Sequence, residues 1–307
     1  MSFPPDQTAK TADIPPQELI TIPTPGGGVN ALLYKAESVG AEKEPMVIHV
    51  HGFLGNFLEG SQRFLPPLLA REGCSSIAIN TRLSNFSLFF GYGIVDDTLP
   101  QIDGVINYLT DLGYKKIFLS GYSLGGCIAV RYMSERAGTK EADAIGGVMV
   151  IATPYSMPDS IRRRWDRWQS SPSYEQVYEE AKEILGDNPA HSEEDRTIII
   201  QRARGDTFRP EHCEIYTYKT WWFLAGPEAD ASKTYKQIGK IKAPIILIQG
   251  WEDKVVLPNE THDLSQRATD AGNADVSAFF LNAGHTLEGK EEELGEVVIN
   301  WMRRRLK

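Results

Sequence analysis

Three residue types able to cooperate in acyl chemistry recur in this chain in similar settings: a serine, an aspartate and a histidine, each just after an apolar run. Ser123 stands in Gly121-Tyr122-Ser123-Leu124-Gly125, after Lys116-Ile117-Phe118-Leu119-Ser120 and before an apolar helical stretch from Gly126 to Met133. A G-x-S-x-G pattern at a strand-to-helix junction lifts a serine hydroxyl out of a sharp, strained turn. Side chains two residues away on either side would collide with that turn, which accounts for Gly121 and Gly125. A serine hydroxyl needs an adjacent base to act as a nucleophile at neutral pH, and histidine suits the task. A carboxylate behind the imidazole fixes its tautomer and stabilises the imidazolium.

In an open parallel sheet, ligands bind beyond the carboxyl ends of the strands. Asp253 follows the run Pro244–Gln249, and His285 follows Val276–Leu281, so both fall where Ser123 falls. The chain order is serine, acid, histidine. Glu252 is adjacent to Asp253 but projects differently from the same turn, and Asp159 is the next choice of acid. Of the other histidines weighed, His49 lies within a strand, His191 and His212 lie in an insertion, and His262 lies in an expected helix. A tetrahedral intermediate also needs N–H donors for its oxyanion. The N–H of Leu124, at a helix start, is one. The N–H of Phe53, aimed by the turn at His51-Gly52, is the other.

The elements that must position these groups follow from periodicity. Gln17–Thr24 and 29–36 read as paired strands, and Met46–Val50, Ser76–Asn80, 116–120, 144–151, 244–249 and 276–281 as further strands. Helical spacing covers 64–71, 97–112, 126–133, 260–271 and 291–305. Strands without polar alternation, separated by amphipathic helices, indicate an α/β fold whose sheet is mostly parallel and covered on both faces. The rhythm breaks between Pro154 and Lys242, a stretch too long for a bare loop. Ile161, Trp165 and Trp168 share a helical face there, Ser173 starts a second helix closed by Gly186, and Ser192 is expected to start a third ended by Gly205. The division expected is therefore a tail over 1–16, a core over 17–153 and 243–307, and a helical cap over 154–242.

Composition excludes several function classes. Apolar and charged fractions of 41% and 24% are ordinary, and a net charge of −9 argues against nucleic-acid binding. Three scattered cysteines have no metal-site or disulfide spacing. No apolar run reaches the length of a membrane span, and Pro4, Pro5, Pro15 and Pro16 break any helix near the start. A cytoplasmic protein without metal or cofactor, monomeric or homodimeric, is expected. Gly284-His285-Thr286-Leu287-Glu288-Gly289-Lys290 imitates a phosphate loop, but Glu291 stands where a serine or threonine must hold magnesium.

Together, His51-Gly52-Phe53, Gly121-Tyr122-Ser123-Leu124-Gly125, Gly250-x-x-Asp253 and Gly284-His285 resemble the α/β-hydrolase superfamily from about residue 20 onward. The resemblance implies an eight-stranded sheet with a cap inserted at 154–242. It also implies Ser123 as nucleophile, His285 as base, Asp253 as acid, and Phe53 and Leu124 as oxyanion donors. A serine at the elbow departs from the branches with an aspartate nucleophile, and the single Gly52 departs from the HGGG type of esterase. The expected activity is hydrolysis of a carboxylic ester of a moderately hydrophobic small molecule. Thioester, lactone, amide and carbon–carbon hydrolysis, acyl transfer, and a non-catalytic binding protein are the alternatives. Trp165, Trp168, Trp221, Trp222 and Phe89 are candidates to line a substrate pocket, with packing of the insertion as their competing role.

Overall fold

The computed structural model describes residues 15–25, 27–36, 45–85, 92–203 and 208–306, with only the backbone given for 208–212. Phe89 and Gly205 lie outside these residues, as does most of the expected tail.

One eight-stranded sheet organises the chain. Its strands are β1 (Gln17–Thr24), β2 (Gly27–Tyr34), β3 (Pro45–Val50), β4 (Ser75–Asn80), β5 (Lys116–Tyr122), β6 (Ile145–Ile151), a strand at Ile245–Gly250 and a last one at Val276–Leu281. Two further strands, β7 (Thr197–Ala203) and β8 (Phe208–Thr217), intervene in sequence and pair with each other, so the last two of the large sheet are β9 and β10. The spatial order is β1-β2-β4-β3-β5-β6-β9-β10. Pairing is antiparallel for β1 with β2 and for β2 with β4, and parallel elsewhere. The α/β fold with a mostly parallel sheet is thus the one the periodicity predicts.

The central strands are apolar on both sides because both sides are covered. Met46, Ile48 and Val50 of β3, with Ile245 and Leu247 of β9, join one core with α2 (Leu99–Asp111), α3 (Leu124–Glu135) and a helix at Pro258–Asp270. Val47, Ile246 and Ile248 join the opposite core with α1 (Leu65–Arg71) and the final helix at Glu291–Arg303. Each strand therefore reads as a continuous hydrophobic run, not an alternating one. Among the described residues no helix is long and apolar enough to cross a membrane.

Between β6 and β9 the chain forms α5 (Met157–Arg167), α6 (Tyr174–Leu185), the β7–β8 hairpin, α7 (Tyr218–Leu224) and α8 (Thr234–Gln237), with a one-turn α4 (Lys140–Asp143) preceding β6. The later helices are α9 (Pro258–Asp270) and α10 (Glu291–Arg303). One expectation fails here. The segment after Ser192 is a strand, not a third helix. Thr197–Ala203 alternates exposed and buried, with Ile198, Ile200 and Arg202 inward. Its three consecutive isoleucines favour extended backbone, and β8 supplies the partner.

The insert rests on the carboxyl ends of the sheet strands. From α5, Ser160 Oγ donates to the Val255 carbonyl (3.4 Å) and Arg167 Nη1 to the Lys254 carbonyl (3.0 Å). Arg163 pairs with Glu260 at 2.8 Å. From β8, the Tyr216 ring lies 5.6 Å from that of Phe53.

Candidate active site

The turn between β5 and α3 holds Ser123 at φ 53°, ψ −118°, a backbone conformation that costs a non-glycine residue about 1–3 kcal/mol. Its surroundings impose it. The Ser123 N–H donates to the Ile151 carbonyl at 2.8 Å, and the Gly126 N–H donates to the Ser123 carbonyl at 3.0 Å. A Cβ on Gly121 would stand 2.1 Å from the Gly125 carbonyl oxygen, and one on Gly125 would stand 2.0 Å from that of Val50. Only glycine fits at either place.

Asp253 follows β9, and its carboxylate is almost wholly enclosed. Oδ1 accepts from the N–H groups of Val255 (2.7 Å) and Val256 (2.9 Å). Oδ2 accepts from Gln249 Nε2 (2.8 Å) and from His285 Nδ1–H (2.7 Å). Burial alone would raise the carboxyl's pKa. The hydrogen bond and charge of His285, with the two backbone donors, outweigh burial and hold it below the usual carboxylate value. An ionised carboxylate can only accept, so the proton between them belongs to His285 Nδ1. Nε2 is then free to accept, and it faces Ser123 Oγ at 3.2 Å. The three sequence candidates thus meet in one hydrogen-bonded line. The Tyr122 ring flanks the imidazole, with centroids 5.2 Å apart.

The turn after β3 comes equally close. A Cβ on Gly52 would be 3.4 Å from Ser123 Cβ, so the Gly52–Phe53 backbone passes directly beside the serine. His51 pins this turn from behind. The Thr81 N–H donates to His51 Nε2 (3.2 Å), which leaves the proton on Nδ1 to be donated to the Gly52 carbonyl (2.8 Å). Burial lowers the His51 pKa to about 4, so the ring is neutral and keeps this tautomer. Leu124 is the first residue of α3, and a first-turn N–H has no acceptor within its own helix.

The aromatic candidates stand elsewhere. Trp165, Trp221 and Trp222 are buried inside the insert, where Trp165 meets Tyr174 and Trp221 edge-on and Trp222 stacks on Tyr178. Trp168 is partly exposed and lies against two arginines. The sequence reading names His51 and Tyr122 only as members of their motifs, without these contacts, and does not single out Gln249. Gln249 had a visible signal, being an amide at the end of the otherwise apolar run of β9.

A buried serine and a buried carboxylate joined through a half-buried imidazole can transfer a proton from serine as the oxygen attacks a carbonyl. Residues 94–287, a span that contains Ser123, Asp253 and His285, match the family model described as serine aminopeptidase, S33. The chain belongs to that family. It is accordingly a hydrolase of the α/β-hydrolase superfamily. No curated protein matches the chain significantly.

Solved structures similar to it include an esterase of Pyrococcus furiosus, at 17% identity and TM-score 0.65 over 95% of this chain and 92% of that one. Est1E of Butyrivibrio proteoclasticus follows at 16% identity and TM-score 0.61, over 94% and 98% of the two chains. It has also been solved with ferulic acid bound. A thioesterase domain from the curacin biosynthetic pathway matches at 17% identity and TM-score 0.58, over 92% and 99%. At such identities the likeness is one of fold.

Proposed function

We propose that this family member is an esterase-type serine hydrolase acting on a carboxylic ester of a moderately hydrophobic small molecule. The observation that carries the reading is the line Ser123 Oγ–His285 Nε2–Asp253, at 3.2 and 2.7 Å. In this reading His285 takes the Ser123 proton as Oγ attacks the ester carbonyl. The oxyanion so formed accepts from the N–H groups of Phe53 and Leu124. Collapse expels the alcohol, which receives the proton from His285, and a water deprotonated by the same imidazole then releases the acid. Asp253 stays ionised throughout and stabilises the imidazolium. Residues 154–242 serve as the cap over this site, and the aromatic side chains within the cap hold its shape. Amide hydrolysis on the same groups is the second reading, favoured by the family's description as aminopeptidases.

A fluorophosphonate probe and a panel of 4-nitrophenyl esters, thioesters and aminoacyl 4-nitroanilides test the proposal. Ser123→Ala is expected to abolish labelling and to lower kcat by about 10⁴-fold or more, as loss of a nucleophile does in serine hydrolases. Equal labelling of the native and Ser123→Ala proteins overturns the assignment. Turnover of anilides but not esters moves the conclusion to the second reading.

A further inference from the structure

The inner face of the insert carries more positive charge than its own residues balance. Arg164 lies one turn beyond Ser160 on the face of α5 that covers the Asp253 loop. Arg202 points inward from β7. The β7–β8 register sets Tyr216 opposite Ile198 and Glu214 opposite Ile200, so Arg202, Glu214 and Tyr216 share the inward face. The guanidinium carbons of Arg164 and Arg202 lie 5.3 and 4.7 Å from the centre of the Trp168 ring. Arg202 is 1% exposed and Arg164 9%.

Charges of this kind are rarely buried without partners. Arg163 is matched by Glu260, and Arg202 gives Nη2 to Glu214. Arg164 has no carboxylate among the described residues, its Nε donating only to the Ser160 carbonyl at 3.2 Å. Among the described residues Arg202 Nε and Nη1 have no acceptor beyond the Tyr216 hydroxyl oxygen beside them, and the proton of that hydroxyl has none. Two guanidinium groups thus face one carboxylate. Desolvation and then the charge of Arg202 lower the Arg164 pKa to about 10, which leaves it cationic at neutral pH.

This cluster adjoins the candidate active site. The Tyr216 ring packs on that of Phe53, whose N–H is the proposed oxyanion donor. Arg164 follows by one turn Ser160, whose Oγ donates to the carbonyl of Val255, the residue whose N–H is given to Asp253. We propose that this face of the insert is an anion subsite, in which Arg164, Arg202 and the Tyr216 hydroxyl hold a carboxylate that the substrate carries apart from its scissile carbonyl. The proposal rests on the hydrolase reading and narrows it to esters of acidic small molecules, half-esters of dicarboxylic acids among them. A free α-ammonium, the group that marks an aminopeptidase substrate, is repelled by the same residues.

The test compares kcat/KM for 4-nitrophenyl half-esters from succinate to suberate with 4-nitrophenyl alkanoates of equal length, and for carboxyphenyl acetate with phenyl acetate. The native protein is expected to favour the anionic member of at least one series by about tenfold, the worth of ~1.4 kcal/mol. Arg164→Gln removes most of that preference. Glu214→Gln, which withdraws the competing carboxylate and leaves the arginines in place, increases it. A purely structural cluster would let both variants alter stability while the anionic-to-neutral ratio stayed constant, and that result overturns the proposal. So does a native preference for the neutral ester in both series. If no ester is turned over, the hydrolase reading fails separately. The subsite is then read from titration of the native and Arg164→Gln proteins with adipate. Binding lost in the variant supports the subsite, and no binding to the native protein overturns it.

Discussion

At the scale of single residues, the group that decides the site's electrostatics is Asp253, and what decides Asp253 is the set of four donors around it. Two are backbone N–H groups, one is His285, and the fourth is Gln249, whose Nε2 also reaches the Val256 carbonyl (3.1 Å) and whose Oε1 accepts from Thr261 Oγ1 (3.1 Å). Gln249 is thus held on both sides and aims one N–H at the oxygen shared with His285. A hydrogen bond to a charged group contributes about 1.5–3 kcal/mol. Gln249→Met keeps the volume and deletes the donor, so kcat is expected to fall by roughly 10- to 100-fold with a smaller change in KM. Steady-state kinetics on a neutral 4-nitrophenyl ester decide the matter, and an unchanged kcat would mean that the two backbone donors suffice to hold the carboxylate. The same residue marks a boundary of sequence reasoning. An amide in an apolar strand announces a buried polar contact, but nothing in the chain says that its partner is four residues on, across a turn.

At the scale of elements, the β5–α3 junction shows why Ser123, Asp253 and His285 could be picked out and why other features could not. Local rules dictate the elbow: a covered strand, glycines forced by close approach, and a helix start. The same rules identify β9 and β10, because a strand buried on both faces is apolar throughout. They misread β7, where Ile198-Ile199-Ile200 is too short to distinguish a helix from a strand, and only pairing with β8 settles it. They also leave Trp165, Trp221 and Trp222 ambiguous, since a ring's neighbours are a tertiary property. Gly126 was likewise invisible as a constraint. A Cβ there would stand 1.8 Å from Thr153 Oγ1, a side-chain atom on the loop after β6. Gly126→Ala is therefore expected to lower thermal stability by several degrees, the scale of a core overpacking of about 1–3 kcal/mol. Thr153→Ala in the same chain should recover part of the loss, because the clashing oxygen is gone. Gly121→Ala, whose clash is with backbone, has no such rescue. Melting temperatures of the single and double variants test this pair, and additive losses in Gly126→Ala/Thr153→Ala would contradict it.

At the scale of the whole molecule, β3 at the centre of the sheet makes folding sensitive to mild acid. His49 and His51 are both buried in or beside this strand. Burial lowers their pKa values to about 3 and about 4, from an ordinary 6.5. In the unfolded chain both rings take up protons as pH falls through about 6.5, while in the folded chain they stay neutral until near their lowered values. The unfolded state therefore binds more protons over this window, and stability is lost as pH drops. Each histidine contributes about 1.4 kcal/mol per pH unit once pH is below 6.5 and above its folded value. Asp253 acts lower down. Its pKa is also depressed in the folded state, so its contribution is present above the unfolded carboxylate value and is lost only as pH falls below it. Between pH 6.5 and 5 the two histidines should dominate. His49 bonds Ser76 Oγ at 3.3 Å and lies inside the strand, away from the turn that carries Phe53, so it can be changed with little effect on that turn. His49→Gln cannot be protonated. Urea unfolding of this variant at pH 7, 6 and 5 is expected to show about half the native protein's loss of stability with pH, whatever its stability at pH 7. Equal slopes in the two proteins would place the acid sensitivity elsewhere in the fold.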